Sequence, residues 1–207
     1  MSGEGEVELD SADKRRTLWI VLWLNVAIAI GFFIVGYFAD SNGLLANGLD
    51  NSSDAIVYLL SLLALTRSRT WKRGAARFSG IMLLIFAGGV IADAFRRFVE
   101  GSDPGGVMMM VMAVVAGVVN LVCLRMLQNM KKKDVNLRAA TTFSFNDFIS
   151  NGGIIIAGII VMLTGANWPD LVVGVAVAGI ALYGGIDQLT GLLDAVPALD
   201  PGPFALF

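Results

Sequence analysis

Leu44-Leu45-Ala46-Asn47-Gly48-Leu49-Asp50-Asn51-Ser52-Ser53-Asp54-Ala55-Ile56-Val57-Tyr58 is the stretch whose reading decides the fold. Apolar residues enclose two aspartates four positions apart, so the segment reads as a membrane-spanning helix that carries charge. An ionised aspartate near the bilayer centre costs about 2.5–3.5 kcal/mol on insertion scales. Two on one helix face are tolerated only with compensation, and the obvious compensator is a cation. At a rise of about 1.5 Å per residue the two lie about 6 Å apart along that face, close enough to reach one ion.

A third aspartate, Asp147, lies in a later apolar run with similar polar neighbours: Asn146, Ser150 and Asn151. No lysine or arginine adjoins any of the three in sequence. Asn47, Asn51 and Asp54 share the Asp50 face at helical spacing. Polar groups at this depth face the bundle interior rather than lipid. Their other reading is hydrogen-bonding glue between helices. The three carboxylates together point instead to a cation site.

Composition supports a membrane chain. Of 207 residues 56% are hydrophobic and 15% charged, with a mean hydropathy of +0.73. Soluble domains are about 45–50% apolar and about 25% charged. Apolar runs fall at 17–39, 44–66, 78–99, 106–130, 139–164 and 171–193, which predicts an all-α polytopic membrane protein of six transmembrane helices. The first run is too long for a signal-peptide core and lacks a small-residue cleavage site, so it is read as a retained span.

Charge placement orients the chain. Thirteen of the fifteen basic residues fall at 14–16, 67–77 or 125–138, and the opposite side holds only Arg96 and Arg97. The positive-inside rule puts both termini in the cytoplasm. Residues 1–16 are then a cytoplasmic N-terminal segment, 17–193 a six-helix transport domain and 194–207 a short cytoplasmic tail. The localisation expected is a bacterial inner membrane.

The chain has no histidine, which excludes histidine-based hydrolases and zinc proteases. Its single cysteine, Cys123, excludes an intramolecular disulfide and reads as a small buried hydrophobe. The run Met108-Met109-Met110 with Met112 reads as apolar filling. Gly174 with Ala178, Ala181 with Gly185, and Gly88 are expected to let helices approach closely. Asp93 reads as an interface residue paired with Arg96 or Arg97, with an outer vestibule as its other reading. Asp40 and Asp187 read as interface residues. No nucleophile–base pair or nucleotide-binding loop suggests an enzyme. The basic residues track the membrane surface, where they can hold anionic lipid, and do not suggest nucleic-acid binding.

The second-run stretch 44–54, with its Asp-x-x-x-Asp spacing, resembles the signature of the cation diffusion facilitator family. Asn136-Leu137-Arg138-Ala139-Ala140 followed by Asp147 and Gly152-Gly153, Asn120, and Trp168-Pro169-Asp170-Leu171-Val172 resemble its fourth to sixth spans. The resemblance covers the membrane domain, from about Trp19 to Leu193. It implies a six-span divalent-metal/proton antiporter with Asp50, Asp54 and Asp147 as metal ligands. The family usually places His or Asp four residues before the last of these, and here that residue is Phe143. A fourth ligand is then water, Asn146, Asn47 or Asn51, or nothing. The histidine-rich loop of many members is replaced by Lys131-Lys132-Lys133-Asp134, and the family's soluble C-terminal domain is expected to be absent. Family habit implies a homodimer through the transmembrane helices.

Three converging carboxylates cannot all remain ionised without a cation, so the empty site is expected to hold protons that a divalent metal displaces. The expected cargo is a divalent transition metal, zinc first, with cobalt, cadmium, iron(II) and manganese open. No resident cofactor is expected. Two other functions fit the same residues. One is a non-transporting metal sensor or interaction protein, and the other a proton-coupled exporter of organic cations walled by Trp19, Trp23, Phe143 and Phe145.

Overall fold

The computed structural model describes the backbone of residues 3–64, 69–128 and 135–194, with most side chains between 15 and 190 apart from those of 64–73 and 129–146. The described chain is six helices: α1 (Gly3–Phe38), α2 (Asn42–Ala64), α3 (Arg69–Glu100), α4 (Gly106–Gln128), α5 (Val135–Thr164) and α6 (Trp168–Asp194). The all-α expectation holds, and the protein is an integral membrane protein. Parts of α1, α4, α5 and α6 are each long and apolar enough to cross a bilayer by composition alone. Among the described residues no stretch of α2 or α3 meets that measure. For α2 the reason is its interior load of Asn47, Asp50, Asn51, Ser52, Ser53 and Asp54 rather than its length, since 23 residues span about 34 Å.

α1 begins at Gly3, so the polar segment before residue 17 continues the first helix without a break. Asp40, in the left-handed region at φ +49°, closes α1 and turns the chain into α2. Aspartate is one of the few residues that visits this region without a glycine.

α2 is the hub. It packs on α1, α3, α5 and α6, while α4 bridges α1 and α5. The helices α1, α2, α5 and α4 therefore form a closed ring, each touching the next, and the α3–α6 pair lies against α2. Two apolar clusters fill that ring at different depths. Towards the Asp40 end, Ile28, Phe32, Leu44, Met109, Ala113, Ala116, Ile154, Ala157 and Val161 pack together. Towards the other end, Val21 and Leu22 meet Tyr58, Leu62, Cys123 and Leu127. A third cluster, Leu49, Leu83, Ala87 and Ala181, joins α2 to α3 and α6.

Small residues set the closest crossings. A Cβ on Gly106 would come within 2.5 Å of the Gly158 carbonyl oxygen, and one on Gly158 within 2.8 Å of the Gly106 carbonyl, so α4 and α5 touch backbone to backbone. Gly174 faces Asn42, and Gly185 faces Gly80 and Leu84, as close approach requires. Gly88 is a correction: it is exposed and a Cβ there would meet nothing, so it seats no neighbouring helix. Met109 is fully buried in the core and Met110 and Met112 are half-buried, which is apolar filling.

Candidate metal centre

The site begins with how α2 is held. Its first backbone N–H groups have no partner within the helix. The carboxylate of Asp170, in the first turn of α6 and fully buried, takes them: Asn42 N–H donates to Oδ2 at 2.7 Å and Gly43 N–H to Oδ1 at 3.0 Å. Ser41, the N-cap, donates its hydroxyl to Asp170 Oδ1 at 2.6 Å and accepts the Leu44 N–H at 3.1 Å. A negative charge at a helix N-terminus is favoured by the helix dipole as well.

The same end is tied sideways. The Asn42 side-chain amide donates to Asp93 Oδ2 at 3.2 Å and to the Val90 carbonyl at 3.1 Å. Asp93 accepts from Arg97 Nε at 2.5 Å and from Arg96 at 2.7 Å, and Arg97 pairs with Asp40. Asp40 in turn accepts the Asp103 N–H at 2.9 Å. Asp93 thus takes the interface reading, paired with both arginines. Asp40 is more than an interface residue, because it joins α1, α3 and the α3–α4 loop. Asp187 has its side chain outside the described residues.

Two turns into α2 from this anchor, the predicted residues gather. Asp50 of α2 and Asp147 of α5 lie within interaction range of each other across the α2–α5 interface, and Asp54 lies within electrostatic reach of both. Two carboxylates at such range repel each other when both are ionised. Asp54 and Asp147 are buried and Asp50 is half-buried. Among the described residues, every ion pair lies at the Asp40 end and none reaches these three.

Asparagines knit the carboxylates to the helices. Asn47 donates its side-chain N–H to Asn151 Oδ1 at 3.0 Å, crossing from α2 to α5. Asn51 donates to the Asn47 carbonyl at 2.9 Å, and Asn151 to the Asp147 carbonyl at 2.8 Å. These bonds use the amide N–H groups and leave Oδ1 of Asn47 and of Asn51 buried without a donor, as is Oδ2 of Asp54. Asn146 and Phe143 have side chains outside the described residues. Among the described residues no three acidic or thiol side chains close into a ready metal cage. The Asn47 and Asn51 amide oxygens, buried without a donor, lie on the same helix as Asp50 and Asp54.

Two polar residues went unweighed in the sequence. Asn25 is the lone amide in the first apolar run, and Asn120 entered only through resemblance; both are buried. Asp170 likewise entered only as part of a family-like stretch, because nothing in sequence says which helix end a distant carboxylate will cap.

Comparison with known proteins gives the family of the chain. A family model described as the cation efflux transmembrane domain matches residues 18–190. The metal cation efflux system protein CzcD of Cupriavidus metallidurans is 24% identical over 187 residues, covering 84% of this chain and 59% of its own. The cadmium, cobalt and zinc/H(+)-K(+) antiporter of Bacillus subtilis is 25% identical, covering 86% and 64%. The zinc transporter ZitB of Escherichia coli is 27% identical, covering 82% and 61%. The chain thus spans about three fifths of the length of these relatives. With a family match that takes in all of the ring and the carboxylate pair, the chain belongs to the cation efflux family, through its transmembrane domain.

Proposed function

We propose that the chain carries a divalent transition-metal cation out of the cytoplasm in exchange for protons, with Asp50, Asp54 and Asp147 as the ligands that bind it. The observation that carries this reading is the approach of half-buried Asp50 and buried Asp54 and Asp147 across the α2–α5 interface, with no described basic partner. A pair of carboxyls that shares a proton when empty releases it when a metal arrives, so one set of residues serves both ions. Zinc is the first cargo to test, supported by the zinc transporter and the cadmium, cobalt and zinc antiporter among the relatives. Cobalt, cadmium, iron(II) and manganese stand beside it, because an all-oxygen site favours harder ions than an imidazole site does.

In this reading 17–193 is the six-span transport domain of a bacterial inner-membrane protein, with 1–16 and 194–207 cytoplasmic and a second copy as partner. The organic-cation reading loses support from Trp19 and Trp23, which are 39% and 62% exposed on the outer surface of α1 and do not wall the site.

The test is metal uptake into proteoliposomes holding a divalent-ion dye, run for each metal with an imposed pH gradient. Saturable uptake that is lost in Asp50→Ala, Asp54→Ala and Asp147→Ala is the expected outcome. Uptake of no metal, or uptake indifferent to all three substitutions, would overturn the proposal.

A further inference from the structure

The ring of α1, α2, α5 and α4 carries one polar layer, and it is wider than the three aspartates. Along α1 the buried residues run Val21 and Leu22, then Asn25, then Ile28. Along α4 they run Ala116, then Asn120, then Cys123. Along α2, Leu44 precedes Asn47, Asn51 and Asp54, and Tyr58 follows; along α5, Asp147 and Asn151 precede Ile154. In every helix the residues on one side of the polar step belong to the cluster near the Asp40 end. On the other side, those of α1, α2 and α4 belong to the opposite cluster. Two apolar plugs therefore sandwich a single polar slab to which four helices contribute.

Asn25 and Asn120 are the contributions of α1 and α4 to that slab, on the two ring helices that do not carry the carboxylates. Asn25 is 2% exposed; its amide N–H donates to the Val21 carbonyl at 2.8 Å, and its Oδ1 has no donor. Asn120 is 1% exposed, and its Nδ2 has no acceptor. A buried polar atom left unpaired costs about 1–3 kcal/mol. In the same layer Asp54 Oδ2 is also unpaired, so the Asn25 oxygen is free to face a cation and the Asn120 N–H is free to donate to a carboxylate.

We propose that Asn25 and Asn120 belong to the cation site: Asn25 supplies a neutral amide oxygen to the metal, and Asn120 donates its free N–H to a metal-binding carboxylate and so positions it. This rests on the metal-transport reading above and deepens it. The amide oxygen of Asn25 occupies the role left open by Phe143, and it makes the donor set oxygen throughout, drawn from α1 as well as from α2 and α5.

Co2+ binding to the purified full chain in detergent tests this, because the d–d absorption of Co2+ reports ligand type and coordination number without any transport. The expected result is saturable binding lost in Asp54→Asn, weakened at least tenfold with an altered spectrum in Asn25→Leu, and retained in Asn25→Asp, which keeps an oxygen there. Asn120→Leu is expected to weaken binding and shift its pH midpoint while leaving the spectral shape unchanged, as a positioning residue should. Wild-type affinity and spectrum in Asn25→Leu, with Asp54→Asn still abolishing binding, would overturn this inference and leave the metal reading intact. Absence of Co2+ binding in the wild type would overturn both. If Asn25→Leu does not yield folded protein by circular dichroism, Asn25→Asp decides: loss of binding there overturns the role of the oxygen.

Discussion

Asp50 and Asp147 were legible one residue at a time because a carboxylate in an apolar run is too costly to be incidental. Asn25 was not, since a lone amide costs far less and can satisfy half of itself on the preceding turn, as its bond to Val21 shows. What sequence could not supply was the register of α1 against α2 and α5, which sets what an amide oxygen faces. The residue one turn before Asp147 offers a sharp test. Phe143 brings no donor atom, so Phe143→His adds an imidazole at the i−4 position and moves the donor set towards the zinc-preferring type. We expect Zn2+ to bind about tenfold or more tightly in that variant while Mn2+ changes little, measured by competition against Co2+ in the purified protein. Equal gains for both metals would place position 143 outside the donor set.

At the scale of elements, the six helices followed from hydrophobic runs, whereas their contacts depend on a few positions that the runs do not single out. Gly88 and Gly158 look alike in sequence, each a glycine among alanines and β-branched residues. Only packing separates them. Gly158→Leu forces a side chain into the Gly106 backbone and is expected to cost about 3 kcal/mol or more, because neither helix backbone can yield as a side chain would. Gly88→Ala faces open space and is expected to be neutral or to stabilise by about 0.5–1 kcal/mol. Thermal unfolding of the two variants in detergent measures the contrast. Asp170 gives a second test. Asp170→Ala leaves the Asn42 and Gly43 N–H groups and the Ser41 hydroxyl without their shared acceptor, for an expected loss of about 1–3 kcal/mol. Because that cap fixes the depth of α2, the same variant is expected to weaken metal binding although Asp170 lies about two turns from Asp50 (about 12 Å along the helix). Lower stability with unchanged affinity would show that the anchor does not set the site.

For the whole molecule, charge and proton traffic share one axis. The basic residues of one side are absent from the Asp40 end apart from Arg96 and Arg97, and those two are consumed in pairing with Asp93, Asp40 and Glu100. That end is therefore neutralised rather than cationic, and it presents no excess positive charge to a departing metal. At the centre, Asp50 and Asp147 come within range of each other between α2 and α5, so the proposed exchange couples their protonation to the approach of the two helices. There, when both are ionised, they repel each other unless a cation stands between them. The direction of coupling follows. Under the proposed exchange each metal that enters displaces protons, so apparent affinity is expected to fall as pH falls, by about tenfold per pH unit for each proton displaced. In proteoliposomes that take up metal, those protons leave the lumen as the metal enters. An acidic lumen should therefore accelerate uptake and an alkaline lumen slow it, and collapsing the gradient with nigericin should return both to the same rate. Asp147→Asn removes a titratable group of the proposed site, and any residual uptake in that variant should respond less to lumen pH. Uptake by the wild type that is equally fast in acidic, neutral and alkaline vesicles would mean that metal moves through this bundle without protons moving against it.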